Sequence, residues 1–207
     1  NSSRSSYAGI GMLKSKNQGK TWEHVGLSDS HHVSRIVINS ENPEEVVVGV
    51  IGHLYSPNEE RGVFKTIDGG KTWKKTLFIN NDTGIIDVVA APENSNILYA
   101  ASWERERKAW NFDGDGNNSA IYKSTDGGDT WKNISSNNGF RNGAGVGRIG
   151  LSVYDENTVY ALHDSQFRRA SEGKKKQGSS ALTKEDFKKM SKDEFLKLTD
   201  KKLNNYL

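Results

Sequence analysis

The sequence contains no cysteine and no long apolar run, and each absence narrows what the chain can be. Without cysteine, disulfide bonds are excluded and no redox compartment can be inferred. No apolar stretch approaches the length of a membrane-spanning helix, so we expect no membrane span. Apolar residues make up only 33% of the chain while glycine occurs 21 times, a balance typical of many short strands joined by turns.

Concentrated positive charge is also lacking over most of the chain. The formal net charge is +3, but the lysine-rich segment from Glu172 onward carries that excess, and the remainder is close to neutral. Nucleic-acid binding normally requires a basic face on the folded part of a protein. We therefore expect no nucleic-acid partner.

The sequence does contain an eight-residue phrase in three copies, with the pattern Ser/Thr-x-Asp/Asn-x-Gly-x-Thr-Trp. The tryptophans of successive copies are 51 and 58 residues apart, and a repeat of that period indicates a solenoid, an array or a propeller. The positions that we expect to be structural are Ser15, Asn17, Gly19 and Trp22 in the first copy, Thr66, Asp68, Gly70 and Trp73 in the second, and Ser124, Asp126, Gly128 and Trp131 in the third.

The residues around each copy predict a β-hairpin. A short alternating strand precedes each phrase, at residues 11–14, 62–65 and 120–123. The central Asp-Gly-Gly of two copies is typical of a tight hairpin turn, because such a turn requires positive φ. Each copy is therefore predicted to be a strand end, a turn and a tryptophan that opens the next strand.

The repeated phrase resembles the Asp-box, or bacterial neuraminidase repeat, of sialidases, some xyloglucan-cleaving glycosidases and sortilin-type receptors. Residues 52–62 and 103–107 also resemble bacterial sortilin-like repeat proteins, which are often described as glycosyl hydrolases. The resemblance covers about residues 7–163. It implies a β-propeller that is exported to a bacterial periplasm or cell surface, with the boxes on outer hairpins away from any ligand.

Four strands per repeat of this length are typical of a propeller blade. The predicted strands are 35–39, 45–51, 62–66 and 74–79 in one blade, and 87–91, 97–101, 120–124 and 132–134 in the next. The residues before the first box are enough only for the outer half of a blade. The strands predicted at residues 148–153 and 158–162 form only the inner half of another blade. The predicted fold is all-β, a partial β-propeller of two full four-stranded blades plus two half blades, with a C-terminal helical insertion.

This organisation gives three predicted regions and an unfinished ring of blades. The regions are an Asp-box propeller segment at residues 1–163, a polar linker at 164–182 and a short helical insertion at 183–207, with Thr183 and Ser191 as N-caps. The insertion either packs on the propeller or docks a partner. We expect the remaining blades to come from the same longer chain or from a partner chain, and a self-contained three-blade object is the alternative.

The box residues are predicted to support the turns and not to react. An Asp at this position can accept hydrogen bonds from its own turn. Asn17 stands where the other copies have Asp68 and Asp126. A turn tolerates that exchange, whereas a carboxylate-dependent reaction does not.

Two sets of residues are candidates for ligand binding. Alignment of the repeats places Arg35, Asp87 and Arg148 at equivalent positions, each predicted to open an innermost strand. They can ring the mouth of a central channel and hold an anionic group, or form an internal salt-bridge network. The second set lies on long loops predicted to share one rim: His53, Tyr55, Trp103, Arg105 and Trp110.

The rim residues permit more than one interpretation. The aromatic side chains suit stacking on sugar rings or peptide side chains, but they also suit packing of the rim itself. Arg105 and Arg107 alternate with Glu104 and Glu106, which is equally typical of a solvated, strand-like edge. Of the rim carboxyl groups at Asp87, Glu59, Glu60, Glu104 and Glu106, none stands in a pattern that assigns a glycosidase acid or base.

Three functions remain open from the sequence. The leading hypothesis is a non-catalytic binding propeller of sortilin-like type that presents its rim to a peptide, protein or glycan. The alternatives are a fragment of an Asp-box glycoside hydrolase and a structural module of a multi-chain envelope assembly. No metal site or cofactor is predicted, since no histidine spacing indicates a metal and no glycine loop indicates a bound phosphate.

Overall fold

A computed structural model of the chain describes residues 7–108, 111–136, 138–167, 182–204 and 206. The chain divides into two compact units, Asn1–Phe167 and Arg168–Leu207. In the described residues, the first unit is built from β-strands with one 3₁₀ turn, and the second contains three short helices. None of the helices in those residues is long and apolar enough to cross a membrane.

The strands of the first unit form antiparallel sheets in the predicted order of half, full, full and half blades. The two full blades have strand orders β3-β4-β5-β6 and β7-β8-β11-β12, flanked by the pairs β1-β2 and β13-β14. The bounds are β1 Leu13–Lys14, β2 Glu23–His24, β3 Val33–Ile38, β4 Val46–Val50, β5 Gly62–Thr66, β6 Lys74–Leu77, β7 Thr83–Ala91, β8 Asn94–Glu104, β11 Ile121–Ser124, β12 Lys132–Asn133, β13 Val146–Val153 and β14 Val159–Ser165. The partial propeller predicted from the repeats is confirmed.

A small hairpin that the sequence did not predict extends the second full blade. Its strands are β9 Glu106–Arg107 and β10 Phe112–Asp113, and Phe112 pairs with Arg107. The hairpin continues directly from β8, which runs to Glu104 and is much longer than the predicted 97–101. The segment that the sequence presented as a long loop is therefore partly ordered into strands.

The innermost strands begin earlier than predicted. Arg35, Asp87 and Arg148 do not open them: β3 starts at Val33, β7 at Thr83 and β13 at Val146. In all three pairings the register shifts close to these residues, as at a β-bulge. A bulge interrupts the apolar alternation while pairing continues, which explains why the sequence pattern located the strand starts too late.

Apolar side chains fill the layers between neighbouring blades. Val48, Val50 and Phe64 of the first full blade pack with Met12 of the half blade before it. Val47 and Val63, on the opposite face of the same sheet, pack with the next blade. Because both faces are covered, β4 is a nearly continuous run of valine, and such β-branched residues suit a pleated sheet.

Gly49 interrupts that valine run at a close approach between two blades. A Cβ added to Gly49 would lie 2.8 Å from Oγ of Ser34 and 2.9 Å from Cγ2 of Ile85 in the next blade. The Ser34 hydroxyl donates to the carbonyl oxygen of Ile85 at 2.6 Å in the same place. The missing side chain thus makes room for a polar contact between blades.

The second unit contains α1 Lys184–Lys189, α2 Lys192–Leu196 and α3 Asp200–Asn204. The first two helices start with the predicted caps: Thr183 forms a capping box with Asp186, and Ser191 forms one with Glu194. The Phe187 ring packs edge-on against Tyr206 at 4.6 Å between centroids. The predicted linker at 164–182 lies mostly outside the described residues.

Candidate binding rim and the turns that support it

The Asp-box side chains bind their own turn. In the second box, the Thr66 hydroxyl donates to Asp68 at 2.7 Å and accepts from the backbone N–H of Gly70 at 2.9 Å. Asp68 also accepts from the N–H and hydroxyl of Thr72, at 2.9 and 2.6 Å. These hydrogen bonds, those from the Thr72 hydroxyl and N–H first, hold the pKa of the Asp68 carboxyl well below its usual range.

The first and third boxes use the same arrangement with one informative exchange. Asp126 accepts from the N–H and hydroxyl of Thr130 at 2.9 and 2.5 Å, and its pKa is lowered for the same reason. In the first box Asn17 accepts from the Thr21 N–H at 2.9 Å but donates its amide N–H to the Thr21 hydroxyl at 2.7 Å. The turn is therefore closed with or without a carboxylate.

The box tryptophans join each blade to the one before it. The indole N–H of Trp73 donates to the carbonyl oxygen of Val25 in the preceding half blade, at 2.6 Å. Trp131 likewise donates to the hydroxyl of Thr76, at 3.2 Å. The indole of Trp22 donates instead to the carbonyl oxygen of Gly19 in its own turn, at 3.1 Å, and the residue is 61% exposed.

The lysine immediately before each box makes the reciprocal contact with the following blade. Lys14 pairs with Glu44 at 2.9 Å and Lys65 pairs with Asp129 at 2.8 Å. Lys123 donates to the backbone carbonyl of Glu156 at 3.3 Å. All three copies have lysine at this place, and that repetition was the signal that sequence reasoning passed over.

Of the predicted channel residues, the structure brings two together. Arg35 pairs with Asp87 of the next blade at 3.0 Å, and the second carboxylate oxygen of Asp87 accepts from the N–H of Leu151 one blade further on, at 2.9 Å. Arg148 is exposed and makes no ion pair with the described residues. Asp87 therefore connects three successive blades, and the predicted ring is reduced to one salt bridge with a backbone contact.

The rim loops contact one another between blades. The His53 ring stacks on His31 with centroids 3.9 Å apart, and its Nε2 donates to the carbonyl oxygen of Asp29 at 2.8 Å. Asn58 donates its N–H to the carbonyl of Asn81 at 3.0 Å. Residues 28–34, 52–61 and 80–83 thus form a continuous edge, on which Tyr55 is largely exposed.

A second part of the rim surrounds the new hairpin. The indole N–H of Trp103 donates to the carbonyl of Gly114 at 2.7 Å, and the Trp103 ring lies edge-on to Phe112 at 6.1 Å. Arg107 lies 6.0 Å from the centre of the Tyr55 ring, so the hairpin reaches the 52–61 loop. Trp110, the remaining predicted aromatic, lies outside the described residues.

Two arginines are buried where these two parts of the rim meet. Arg61 is 1% exposed and Arg105 is 7% exposed, and both line a small cavity together with Tyr55, Asp82 and Arg107. The guanidinium of Arg105 lies 4.9 Å from the centre of the Trp103 ring. The sequence identified Arg105 as a candidate but did not distinguish it from a solvated edge residue, and it did not identify Arg61.

Several rim carboxylates are occupied by structural contacts. One oxygen of Glu104 accepts from both the N–H and the side-chain amide of Asn118, at 2.8 and 3.0 Å. Glu106 pairs with Lys108 at 2.9 Å. Among the described residues, every carboxyl group with a shifted pKa is shifted downward by the hydrogen bonds that it accepts: Glu44, Asp68, Asp126, Asp155 and Glu194.

Comparison with known proteins identifies the family to which this fold belongs. The model of the family described as sortilin, neurotensin receptor 3, matches residues 11–204. The search of curated proteins gave no match.

Within the part of the chain that the structure describes, no three His, Asp or Glu side chains are grouped so as to hold a metal ion.

Two solved structures match about three quarters of this chain. An ancestral GH74 enzyme matches with a TM-score of 0.51 at 21% identity, covering 73% of this chain and 19% of its own. The GH74 xyloglucanase from Xanthomonas campestris matches with a TM-score of 0.53 at 16% identity, covering 78% of this chain and 24% of its own. This chain therefore spans a quarter or less of those proteins, and the likeness is one of fold. Since the family model spans nearly the whole chain and the boxes close the blade hairpins, the chain belongs to the sortilin family of Asp-box β-propellers.

Proposed function

We propose that this propeller segment is a non-catalytic binding module whose rim takes a peptide or protein ligand. The observation that carries the proposal is the basic and aromatic cluster where the 52–61 loop meets the β9–β10 hairpin. Tyr55 is 54% exposed there, with Arg107 beside it and Arg105 behind it. Aromatic and arginine side chains together are characteristic of binding hot spots, because a Tyr ring buries a large area and a guanidinium offers several hydrogen-bond donors.

The state of the carboxylates supports binding over hydrolysis. A glycosidase requires one carboxyl group with a raised pKa as acid and a second, ionised one across the bond. In the described residues Asp87, Glu104 and Glu106 are held by salt bridges or amide donors. The likeness to GH74 enzymes concerns the fold alone, so hydrolysis by a longer protein is an outcome of the test below.

The setting and the remaining blades are part of the same proposal. Sortilin-type propellers are typically extracellular or lumenal, and we infer an exported bacterial setting from the resemblance to bacterial repeat proteins. Within the described ranges, β1 and β14 each pair on one side alone, and Ile36 and Ile38 are exposed beside the first half blade. These features support a propeller completed by further blades, from the same longer chain or from a partner.

A peptide array and a glycan array, probed in parallel, test the proposal. Tyr55→Ala and Arg107→Ala should each weaken the strongest wild-type interaction by about tenfold or more, as expected for hot-spot residues. Lys71→Ala, an exposed change in the box turn, serves as the matched control and should leave binding intact. Binding confined to glycans, or xyloglucan turnover that is lost on substitution of Glu59 or Glu60, would overturn the proposal.

A further inference from the structure

The guanidinium of Arg105 is a buried rim charge without a counter-ion among the described residues. The residue is 7% exposed, its Nε is buried without a hydrogen-bond partner, and its side chain makes no hydrogen bond or ion pair with the described residues. What surrounds it is aromatic, since Trp103 lies 4.9 Å away and Phe112 lies 5.4 Å away, measured to the ring centres. Burial, and then the charges of Arg61 and Arg107, lower its pKa to about 10.

Arg61 adds a second buried cation to the same cavity. It donates to the carbonyl oxygens of Asp82 at 2.6 Å, His53 at 3.0 Å and Ser56 at 3.3 Å, while its Nε has no partner. Carbonyl oxygens fix the orientation of the guanidinium without neutralising it. The nearby carboxylate of Asp82 raises the pKa of Arg61, but burial has the larger effect and lowers it.

The charges that line this cavity do not balance. Arg61, Arg105 and Arg107 face Asp82 and Glu106, and Glu106 is already paired with Lys108 at 2.9 Å. A buried cation normally has a paired anion, because an unpaired charge loses its hydration without a replacement. Arg35 shows the usual solution in this protein, with Asp87 at 3.0 Å.

We propose that the Arg61–Arg105 cavity binds a single carboxylate, presented by an aspartate or glutamate side chain of a peptide ligand. This inference rests on the proposed function and specifies the chemistry of its ligand. The planar guanidinium of an arginine donates two parallel hydrogen bonds to one carboxylate, and the Nε of Arg105 is a buried donor without a partner. The Trp103 and Phe112 rings lie against the Arg105 guanidinium, and the reduced hydration there strengthens such a pair.

The size of the cavity favours a side chain over a sugar acid. Its volume is about 20 Å³, which is room for about one water-sized group. The oxygens of a carboxylate reach such a space from its mouth, and the narrow methylene stem of an Asp or Glu side chain stays outside. A uronate carries its carboxyl group directly on the ring, so the wider ring would have to lie in the mouth.

Titration with short capped peptides tests the assignment. Acetyl-Gly-Glu-Gly-amide should bind the wild-type chain at least about tenfold more tightly than acetyl-Gly-Gln-Gly-amide, and added salt should reduce the difference. Arg105→Gln should remove the preference. Arg105→Lys should retain only part of it, because lysine keeps the charge but not the fork. Lys74→Gln, which removes an exposed charge from the outer strand β6, should leave the preference unchanged.

Stability measurements distinguish this role from structural support of the rim. Because Arg105 is buried without a counter-charge, Arg105→Met should unfold at the same or a higher denaturant concentration than the wild type. The assignment is wrong if Arg105→Met unfolds at markedly lower denaturant, if the glutamate and glutamine peptides bind equally, or if inorganic phosphate displaces the glutamate peptide and binds more tightly. Binding on the peptide array that depends on Tyr55 but shows no glutamate preference would refute the carboxylate site and leave the proposed function standing.

Discussion

The indole of Trp73 donates a 2.6 Å hydrogen bond to the carbonyl oxygen of Val25, which lies in the preceding blade. This contact gives the repeated tryptophan a physical role. The ring packs against the apolar cluster of Met12, Val48, Val50 and Phe64, while its N–H holds the neighbouring sheet. Such a wedge combines apolar burial with a satisfied polar group.

Trp73→Ala should therefore be far more destabilising than Trp22→Ala. Loss of the Trp73 ring leaves a cavity between two blades and an unpaired carbonyl, with an expected cost on the order of 3 kcal/mol. Trp22 is mostly exposed and binds only its own turn, so its loss should cost less than about 1 kcal/mol. Urea unfolding followed by circular dichroism measures both, and equal costs would contradict the wedge.

The acid stability of the chain should depend on the box carboxylates. The pKa of Asp68 is lowered on folding, so its contribution is fully present above the unfolded value of about 3.9 and is lost as the pH falls towards the folded value. The same holds for Asp126. The urea midpoint should therefore fall steadily below about pH 4.

Asparagine provides the matched variant, because the first box already contains it at Asn17. Asp68→Asn with Asp126→Asn should flatten the pH dependence below about pH 4 while preserving most of the stability at neutral pH. Asp68→Ala should instead lower Tm at neutral pH, since the Thr72 N–H loses its acceptor. Ligand affinity per folded molecule should remain unchanged, and its loss in an intact fold would assign the box a role in binding.

Asp87 should matter more to stability than its salt-bridge partner. Asp87→Ala leaves the buried N–H of Leu151 without an acceptor, which costs about 1–3 kcal/mol. Arg35 is half exposed, so Arg35→Ala should cost no more than about 1 kcal/mol. Arg148→Gln should lie within about 0.5 kcal/mol of the wild type, because it breaks no ion pair among the described residues. If Arg35→Ala or Arg148→Gln lowers Tm more than Asp87→Ala does, the result would favour the predicted ring of three charges over a single salt bridge.

Alanine substitutions at two glycines in matching box positions distinguish the cost of backbone strain from the cost of a steric clash. Gly70 and Gly19 both have positive φ, at 96° and 83°. A Cβ on Gly70 would lie 2.8 Å from Cβ of Val25, whereas one on Gly19 would meet nothing nearer than the Trp22 ring at 3.7 Å. Gly19→Ala should show only the strain of about 1–2 kcal/mol, and Gly70→Ala should be clearly worse. Similar Tm values for the two variants would mean that the blades move apart at little cost.

The architecture was readable from the sequence because it rests on local chemistry that recurs. The turn at Asp68 and Gly70 requires particular residues at fixed offsets, and three copies at blade spacing predicted the order of half and full blades correctly. The lysines before the boxes, such as Lys65, carried the same kind of signal. Their partners lie in other blades, so their role became clear only from the structure.

The state of the rim was not readable from the sequence, because it depends on contacts between distant segments. The alternating charges from Glu104 to Arg107 are consistent with a solvated edge, and β9 does include Glu106 and Arg107. Arg105 is buried because Phe112 and Trp103 lie against it and the 52–61 loop lies on its other side. The bulges near Arg35 and Asp87 likewise depend on pairing that the apolar pattern does not encode.

The indole contacts between blades have a consequence for the order of events during synthesis. Each acceptor precedes its donor along the chain, as Val25 precedes Trp73 and Thr76 precedes Trp131. A blade emerging from the ribosome thus finds its docking surface already made on the blade before it, so the array can grow from its N-terminal side without waiting for later repeats.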